Sequence, residues 1–149
     1  MKSVFLAVSL FSFSALAIPS VGDFAKYEIS QGANSLFLSQ EIKAIDSNKG
    51  LVTVEVSLEQ NGKSQSSVSD VDLKTIPTAA ALESAIKNCV QIGGTNETVT
   101  VKAGTFETCK VPTENGTINL GLVAFGLVKV VGTTDDGQPM TAELVEARQ

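Results

Sequence analysis

The sequence contains no histidine and no tryptophan, and only two of its 149 residues are cysteines. Without histidine the chain lacks the commonest general base, the Ser-His and Cys-His nucleophile systems and the usual protein ligands of zinc and copper. The remaining acid pairs, Asp70 with Asp72 and Asp135 with Asp136, fit a polar strand face and a turn. We therefore expect no catalytic residue, no metal and no cofactor, and we do not expect an enzyme.

Basic residues are also scarce. The chain has 11 Lys and Arg against 16 Asp and Glu, which gives a formal net charge of −5. No segment groups the lysines into a basic patch. A chain with this balance is not expected to bind nucleic acid or an anionic membrane surface.

A long, uncharged apolar run with a basic flank occurs at the N-terminus, in "MKSVFLAVSLFSFSALA". Lys2 precedes the run, and Ala15-Leu16-Ala17 ends it, as in a signal peptide at 1–17 that is cleaved after Ala17. A transmembrane anchor is the alternative, but the run is shorter than the ~20 residues needed to span a bilayer. We expect a single β-rich exported domain at 18–149, periplasmic or secreted, with no membrane anchor.

The two cysteines, Cys89 and Cys109, lie far apart in the sequence. In an oxidising compartment such a pair predicts one intramolecular disulfide, with two buried thiols or intermolecular pairing as the alternatives. Closing this loop would stabilise the fold by roughly 3 kcal/mol in the chain-entropy model. The spacing is not that of a redox-active Cys-x-x-Cys pair, so a structural role is expected.

Apolar and polar residues alternate along most of the mature chain, which predicts an antiparallel sheet. The clearest strand starts at Val52, and Asn61-Gly62 after it is a strong hairpin signal. The partner strand at 63–76 is polar on one face, which we expect to be solvated or at an edge. The other predicted strands are 23–30, 37–45, 97–101, 105–111, 120–131 and 140–147, with turns at 47–50 and 132–139. The apolar strand 120–131 is expected to be covered on both sides.

One segment, 77–94, shows helical spacing instead. Thr78 is a candidate N-cap, and a glycine at 93 or 94 is a candidate C′ residue. Its predicted apolar face carries Leu82, Ile86, Cys89 and Val90. The predicted fold is mainly β (α+β): a single curved antiparallel sheet or open half-barrel with one amphipathic helix packed on it.

The hairpin that leads to Cys109 can form in two registers. A three-residue loop, Lys102-Ala103-Gly104, places Val99 and Val101 on the same face as Cys109, whereas a two-residue loop, Ala103-Gly104, places them on the opposite face. We favour the first register, because the disulfide would then attach the apolar helix face to the sheet.

Two motifs resemble those of a known group of proteins. "ETVTVKAGTFETCKV" (97–111) resembles the "tVxAGtFxxxxV" hairpin of bacterial periplasmic proteins of unknown function, and "VAFGLVKV" (123–130) is similar to their "vPfGlVKv" strand. "VGDFAKYEIS" (21–30) resembles their opening strand. Ala124 stands where these families often have proline. The resemblance implies a distant relationship to the LolA/LolB-like open β-barrel lipoprotein carriers, and thus a strongly curved sheet.

Two function classes follow. The first is an exported soluble envelope protein that binds a lipid or small apolar ligand on the concave face of the sheet. Its candidate pocket residues are Val99, Val101, Phe106, Phe125 and Leu127. The alternative is a non-enzymatic structural or protein-interaction module of the bacterial envelope that recognises an envelope protein through an edge strand.

Overall fold

The structure is a computed structural model that describes residues 19–149. The predicted signal peptide and its cleavage site before Ile18 lie outside the described residues. Within them the chain forms one α-helix, α1 (Ala79–Lys87), and nine strands: β1 (Phe24–Gln31), β2 (Asn34–Asp46), β3 (Leu51–Gln60), β4 (Lys63–Asp72), β5 (Thr95–Val101), β6 (Gly104–Thr113), β7 (Gly116–Gly121), β8 (Leu127–Thr133) and β9 (Pro139–Arg148). No helix within this range has the length and apolar character needed to span a membrane.

The nine strands form one open antiparallel sheet in the order β4-β3-β2-β1-β9-β8-β7-β6-β5. The first and last strands therefore pair at its centre, and β4 and β5 are its two edges. The loop between β5 and β6 reaches back across the sheet: the Ala103 N–H donates to the Leu144 carbonyl of β9 at 3.2 Å, and Lys102 forms an ion pair with Glu28 of β1. The sheet is therefore curved, and the predicted class, mainly β with one helix, is confirmed.

The β3–β4 hairpin forms at the predicted position. Asn61 and Gly62 both have positive φ, 52° and 73°, as a two-residue type I′ turn requires, and they leave Gln60 paired with Lys63. The predicted strand 63–76 is too long, because β4 ends at Asp72. Its carboxylate accepts a hydrogen bond from the Lys74 N–H at 2.8 Å and starts a short 3-10 helix, Leu73–Thr75.

Helix α1 begins as predicted, since the Thr78 hydroxyl accepts a hydrogen bond from the Ala81 N–H at 3.1 Å. The α-helix ends at Lys87, earlier than the predicted 77–94. A further turn follows and finishes at Gly93, whose φ is 85°. The Gly94 N–H donates to the Cys89 carbonyl at 2.8 Å, and the Gly93 N–H donates to that of Val90 at 3.1 Å. This is the Schellman pattern, with Gly93 at C′.

The buried face of the helical segment differs from the predicted apolar face at one residue. Leu82 and Cys89 are buried, but Val90 is 74 % exposed, so its assignment to the apolar face is wrong. Val90 lies in the turn after α1, beyond the last residue of the α-helix, Lys87. The helix contacts β6 and β7.

The segment 120–131 is not a single strand. β7 ends at Gly121, and a tight turn brings the chain into β8. In this turn the Gly126 N–H donates to the Val123 carbonyl at 2.9 Å, and Phe125 has φ 62° and ψ −1°. These are the angles of the third position of a type II turn, which normally requires glycine. The apolar run 120–131 predicted one continuous strand, but this turn divides it into β7 and β8.

The core consists of two clusters of apolar side chains. The first cluster contains Ala25, Tyr27, Val99, Val101, Val123, Val128 and Leu144. The second cluster contains Ile42, Val52 and Val54, with Val71, Leu73 and Ile76 packed against it. Phe125 packs against both clusters, so the turn after β7 connects the two halves of the core.

Candidate functional site

The predicted disulfide is present. Cys89 and Cys109 are joined by an S–S bond and both are fully buried. The bond connects the turn after α1 to β6. Gly94 lies directly beside it, because a Cβ at this position would stand 2.7 Å from each sulfur and 2.8 Å from the Lys110 carbonyl oxygen.

The favoured register of the β5–β6 hairpin is wrong. Val101 pairs with Gly104 and Val99 with Phe106, so the loop is the two residues Lys102-Ala103, one residue before the alternative loop Ala103-Gly104. Cys109 pairs with Asn96 and therefore lies on the face opposite Val99. The loop is fixed by its contacts with β9 and β1, which local sequence does not encode. The disulfide still attaches the helix to the sheet, on the face of Leu120, which pairs with Cys109 across β6 and β7.

The structure brings the five candidate pocket residues together. Val99 and Val101 are buried in the first cluster, and Phe106, Phe125 and Leu127 are partly buried against it. Of the five, Phe106 also lines a cavity of 260 Å³. The other lining residues of this cavity are Ala103, Leu122, Val123, Ala147 and Gln149.

The acid pairs take part in local structure. Asp70 accepts a hydrogen bond from the Thr53 hydroxyl at 2.6 Å, Asp72 caps the 3-10 helix, and Asp136 accepts one from the Thr134 hydroxyl within its turn. Asp135 is exposed in the same turn. Across residues 19–149, no group of three or more His, Cys, Asp or Glu side chains is placed to hold a metal ion.

A buried polar group links three strands of the sheet. The Asn119 amide donates to the Thr108 hydroxyl at 3.0 Å and to the Glu97 carboxylate at 2.9 Å. The Thr108 hydroxyl in turn donates to the Glu97 carbonyl at 2.9 Å. Because these polar groups satisfy one another, this cluster fixes the pairing of β5, β6 and β7.

The edge strand β4 is the most exposed element of the sheet. Nine of its ten residues are exposed, Val71 being the exception. Its register with β3 is continuous, without a bulge. Between Lys63 and Asp70 it carries neither charge nor proline. Exposed edge strands are usually protected by charges, prolines or bulges, and none of these interrupts 64–69.

The hairpin geometry determines which backbone groups of β4 are free. The type I′ turn makes Gln60 and Lys63 a hydrogen-bonded pair, and such pairs alternate along an antiparallel ladder. The N–H and C=O groups of Ser64, Ser66 and Val68 therefore point away from β3. These groups can pair with an added strand.

The opposite edge, β5, is engaged within the molecule. Its side chains Val99 and Val101 are buried in the first cluster. The Asn96 amide donates to the Ile86 carbonyl of α1 at 2.8 Å. The two edges of the sheet thus differ, and β4 is the accessible one.

A recess of 640 Å³ adjoins the start of β4. Leu36 and Leu58 give it an apolar floor, and Leu58 is 45 % exposed. Its other lining residues are Gln60, Asn61, Lys63, Ser64 and Gln65. Leu58 pairs with Gln65, so both side chains lie on the same face of the sheet.

Sequence reasoning identified the polar edge but missed this recess. Leu58 shares a face of β3 with Val54 and Val56, which lie in or against the second cluster. The exposed tip of the hairpin extends beyond the second cluster, which leaves Leu58 uncovered. Only the placement of Leu36 beside it could have revealed the recess.

No protein-family model matches the chain, and no curated protein matches its sequence. Solved structures do resemble it. A Bacteroides fragilis protein described as exported, with a YmcC-like fold, is 14 % identical with a TM-score of 0.54, over 87 % of this chain and 97 % of the other. The chain thus has the fold of that protein.

Two further structures have lower TM-scores. MucB in complex with MucA(peri) is 12 % identical with a TM-score of 0.49, and 85 % of this chain matches half, 50 %, of the MucB chain. A Parabacteroides distasonis protein described as a lipoprotein is 12 % identical with a TM-score of 0.44, over 87 % of this chain and 96 % of that chain. The relationship to LolA-type carriers stays a prediction.

Proposed function

We propose that the chain is exported to the bacterial envelope, where it acts without catalysis by binding another protein through the edge strand β4. The free backbone groups of Ser64, Ser66 and Val68 are the observation that carries this proposal. An extended segment of a partner would continue the sheet and satisfy these groups, as in other cases of β-strand addition. The N-terminal sequence and the fold shared with an exported protein support the location.

The test is photo-crosslinking in the living cell from a benzophenone amino acid at Ser66. The same amino acid at Glu83, exposed on α1, serves as the control position. We expect a protein adduct from position 66 and none from 83. The adduct should be lost in Val68→Pro, which removes one outward N–H that β4 does not need for its own ladder. It should persist in Val68→Thr, which keeps that N–H.

Circular dichroism of Val68→Pro checks that this variant is folded before its adduct is compared with that of the wild type. Strand addition at β4 would be contradicted by an adduct that persists in Val68→Pro. It would also be contradicted if position 66 gave no adduct in cells that express the folded protein.

A second candidate function is the binding of a lipid or small apolar ligand next to the first cluster. The cavity beside Phe106 favours it, because Ala103, Val123 and Ala147 also line this cavity. At 260 Å³ the cavity is below the usual size of about 300–1,000 Å³ for a ligand pocket, so a ligand would have to displace core side chains. Native mass spectrometry of protein purified from its own envelope decides between the two: a co-purifying lipid mass supports the ligand, and a protein complex supports the first proposal.

A further inference from the structure

The recess at the start of β4 indicates what kind of segment the edge strand accepts. We propose that the partner segment is a C-terminal tail: it runs antiparallel to β4, places its last side chain in the recess and its terminal carboxylate beside Lys63. This inference rests on the proposed function, since it requires that a strand adds to β4.

The direction follows from where β4 begins. β4 starts at the hairpin, at Lys63, and runs away from it to Asp72. An antiparallel strand on its free edge therefore arrives at the hairpin with its C-terminal end. A parallel strand would bring its N-terminal end there, and a terminal ammonium would be repelled by the Lys63 ammonium.

The chemistry of the recess fits such an end. Among residues 19–149, Lys63 takes part in no ion pair, and its side chain shares a face with that of Gln65. The Lys63 ammonium, on the face that carries the recess, suits a carboxylate.

The apolar floor accounts for the last side chain. A tail residue that pairs with Gln65 points to the face that carries Leu58 and Leu36. A residue such as leucine or phenylalanine would cover the exposed Leu58 there. The Lys63 side chain lies on this same face, so its ammonium can pair with the terminal carboxylate beside the covered Leu58.

The experiment measures fluorescence anisotropy with labelled synthetic peptides. The probes are heptapeptides of sequence Gly-Thr-Lys-Val-Thr-Val-X, with X being Leu, Ile, Val or Phe, each made with a free carboxylate and as the amide. We expect at least one free acid to bind about tenfold more tightly than its amide, as a charge-assisted hydrogen bond implies. Lys63→Gln should remove the difference between acid and amide. Leu58→Asn should weaken binding of both.

Val68→Pro separates this inference from the proposed function. If the amide binds as tightly as the acid and Val68→Pro abolishes both, strand addition stands and the C-terminal inference is overturned. If peptides bind and Val68→Pro changes nothing, both are overturned. If no free acid binds at concentrations up to about 1 mM, the C-terminal inference is overturned, and the crosslinking experiment decides the proposed function alone.

Discussion

Tyr27 is the only tyrosine in a chain without tryptophan. Its hydroxyl is buried in the first cluster and has no hydrogen-bond partner among residues 19–149. Desolvation by burial raises the pKa of Tyr27 well above its ordinary value. The folded protein therefore keeps this proton at a pH where the unfolded chain releases it. The resulting stability is present below the unfolded pKa of about 10 and is lost as the pH rises beyond it.

We predict that the phenolate absorbance of Tyr27 appears together with the loss of circular dichroism in an alkaline titration, and not before it. Tyr27→Phe should lose stability less steeply above a pH of about 10, because it carries no phenol to ionise. At neutral pH it should be as stable as the wild type or more stable by about 1 kcal/mol, since an unpaired buried hydroxyl is removed. Phenolate absorbance at an ordinary tyrosine pKa in a protein that is still folded would contradict the buried position.

Phe125 is the second residue with an unusual environment. A non-glycine residue at φ 62° is uncommon, and a bulky aromatic there is a genuine outlier. The side chain packs against both clusters. Packing and backbone conformation therefore act on stability in opposite directions at this one position.

A pair of substitutions separates the two effects. Phe125→Ala should lower the free energy of unfolding by about 2–4 kcal/mol, because it removes contacts with both clusters and keeps the left-handed strain. Phe125→Gly loses the same contacts, yet we expect it to be more stable than Phe125→Ala by about 1 kcal/mol, since glycine adopts this conformation without strain. Urea unfolding measures both. A Phe125→Ala variant that is at least as stable as Phe125→Gly would show that the turn is not strained.

At the level of elements, the disulfide joins the end of the helical region to β6. Helix α1 has one fully buried residue, Leu82, and nine residues in all. A helix this short is marginal in isolation, so its place on the sheet depends on tertiary contacts. Gly94 allows the turn to pass directly beside the two sulfurs.

We predict that the double substitution Cys89→Ser, Cys109→Ser lowers the free energy of unfolding by roughly 2–5 kcal/mol, because the loop is no longer closed in the unfolded chain. Binding at β4 should survive wherever the variant is folded, since the disulfide is attached to β6 and β4 is at the opposite edge of the sheet. The measurements are urea unfolding and peptide anisotropy well below the transition. Lost binding in a variant of undiminished stability would instead assign the cystine to the functional site.

At the level of the whole molecule, one sheet carries two separate clusters. β2 contributes to both of them: Leu38 packs against the first cluster, and Ile42 belongs to the second. Phe125 adds a direct contact between them. A continuous sheet with a shared side chain should unfold as a unit.

We predict a single cooperative transition in urea, with coincident curves from two probes. Tyrosine fluorescence reports the first cluster alone, because Tyr27 is the only such fluorophore, and circular dichroism reports the whole sheet. In Phe125→Ala the two curves should move together to lower urea. Fluorescence and circular dichroism transitions that separate in the wild type would show that the clusters unfold independently.

The sequence by itself determined the local features of this protein. Alternation located most of the strands. Asn61-Gly62 located the β3–β4 turn, and Thr78 located the start of α1. Each of these features depends on contacts between near neighbours in the chain. The disulfide followed from having two cysteines. The polar edge followed from composition, since β4 carries a single valine on each face and a strand with so few apolar residues is not buried.

The tertiary structure alone decided the rest. The β5–β6 register depends on the contacts of Lys102 and Ala103 with β1 and β9, which are distant in the chain. The turn at Phe125 breaks an apolar run because the aromatic ring gains contacts with two clusters, which offset the backbone strain. The recess exists because β2, β3 and β4 bring Leu36, Leu58 and Lys63 side by side. Such juxtapositions between strands arise from folding, and no local pattern encodes them.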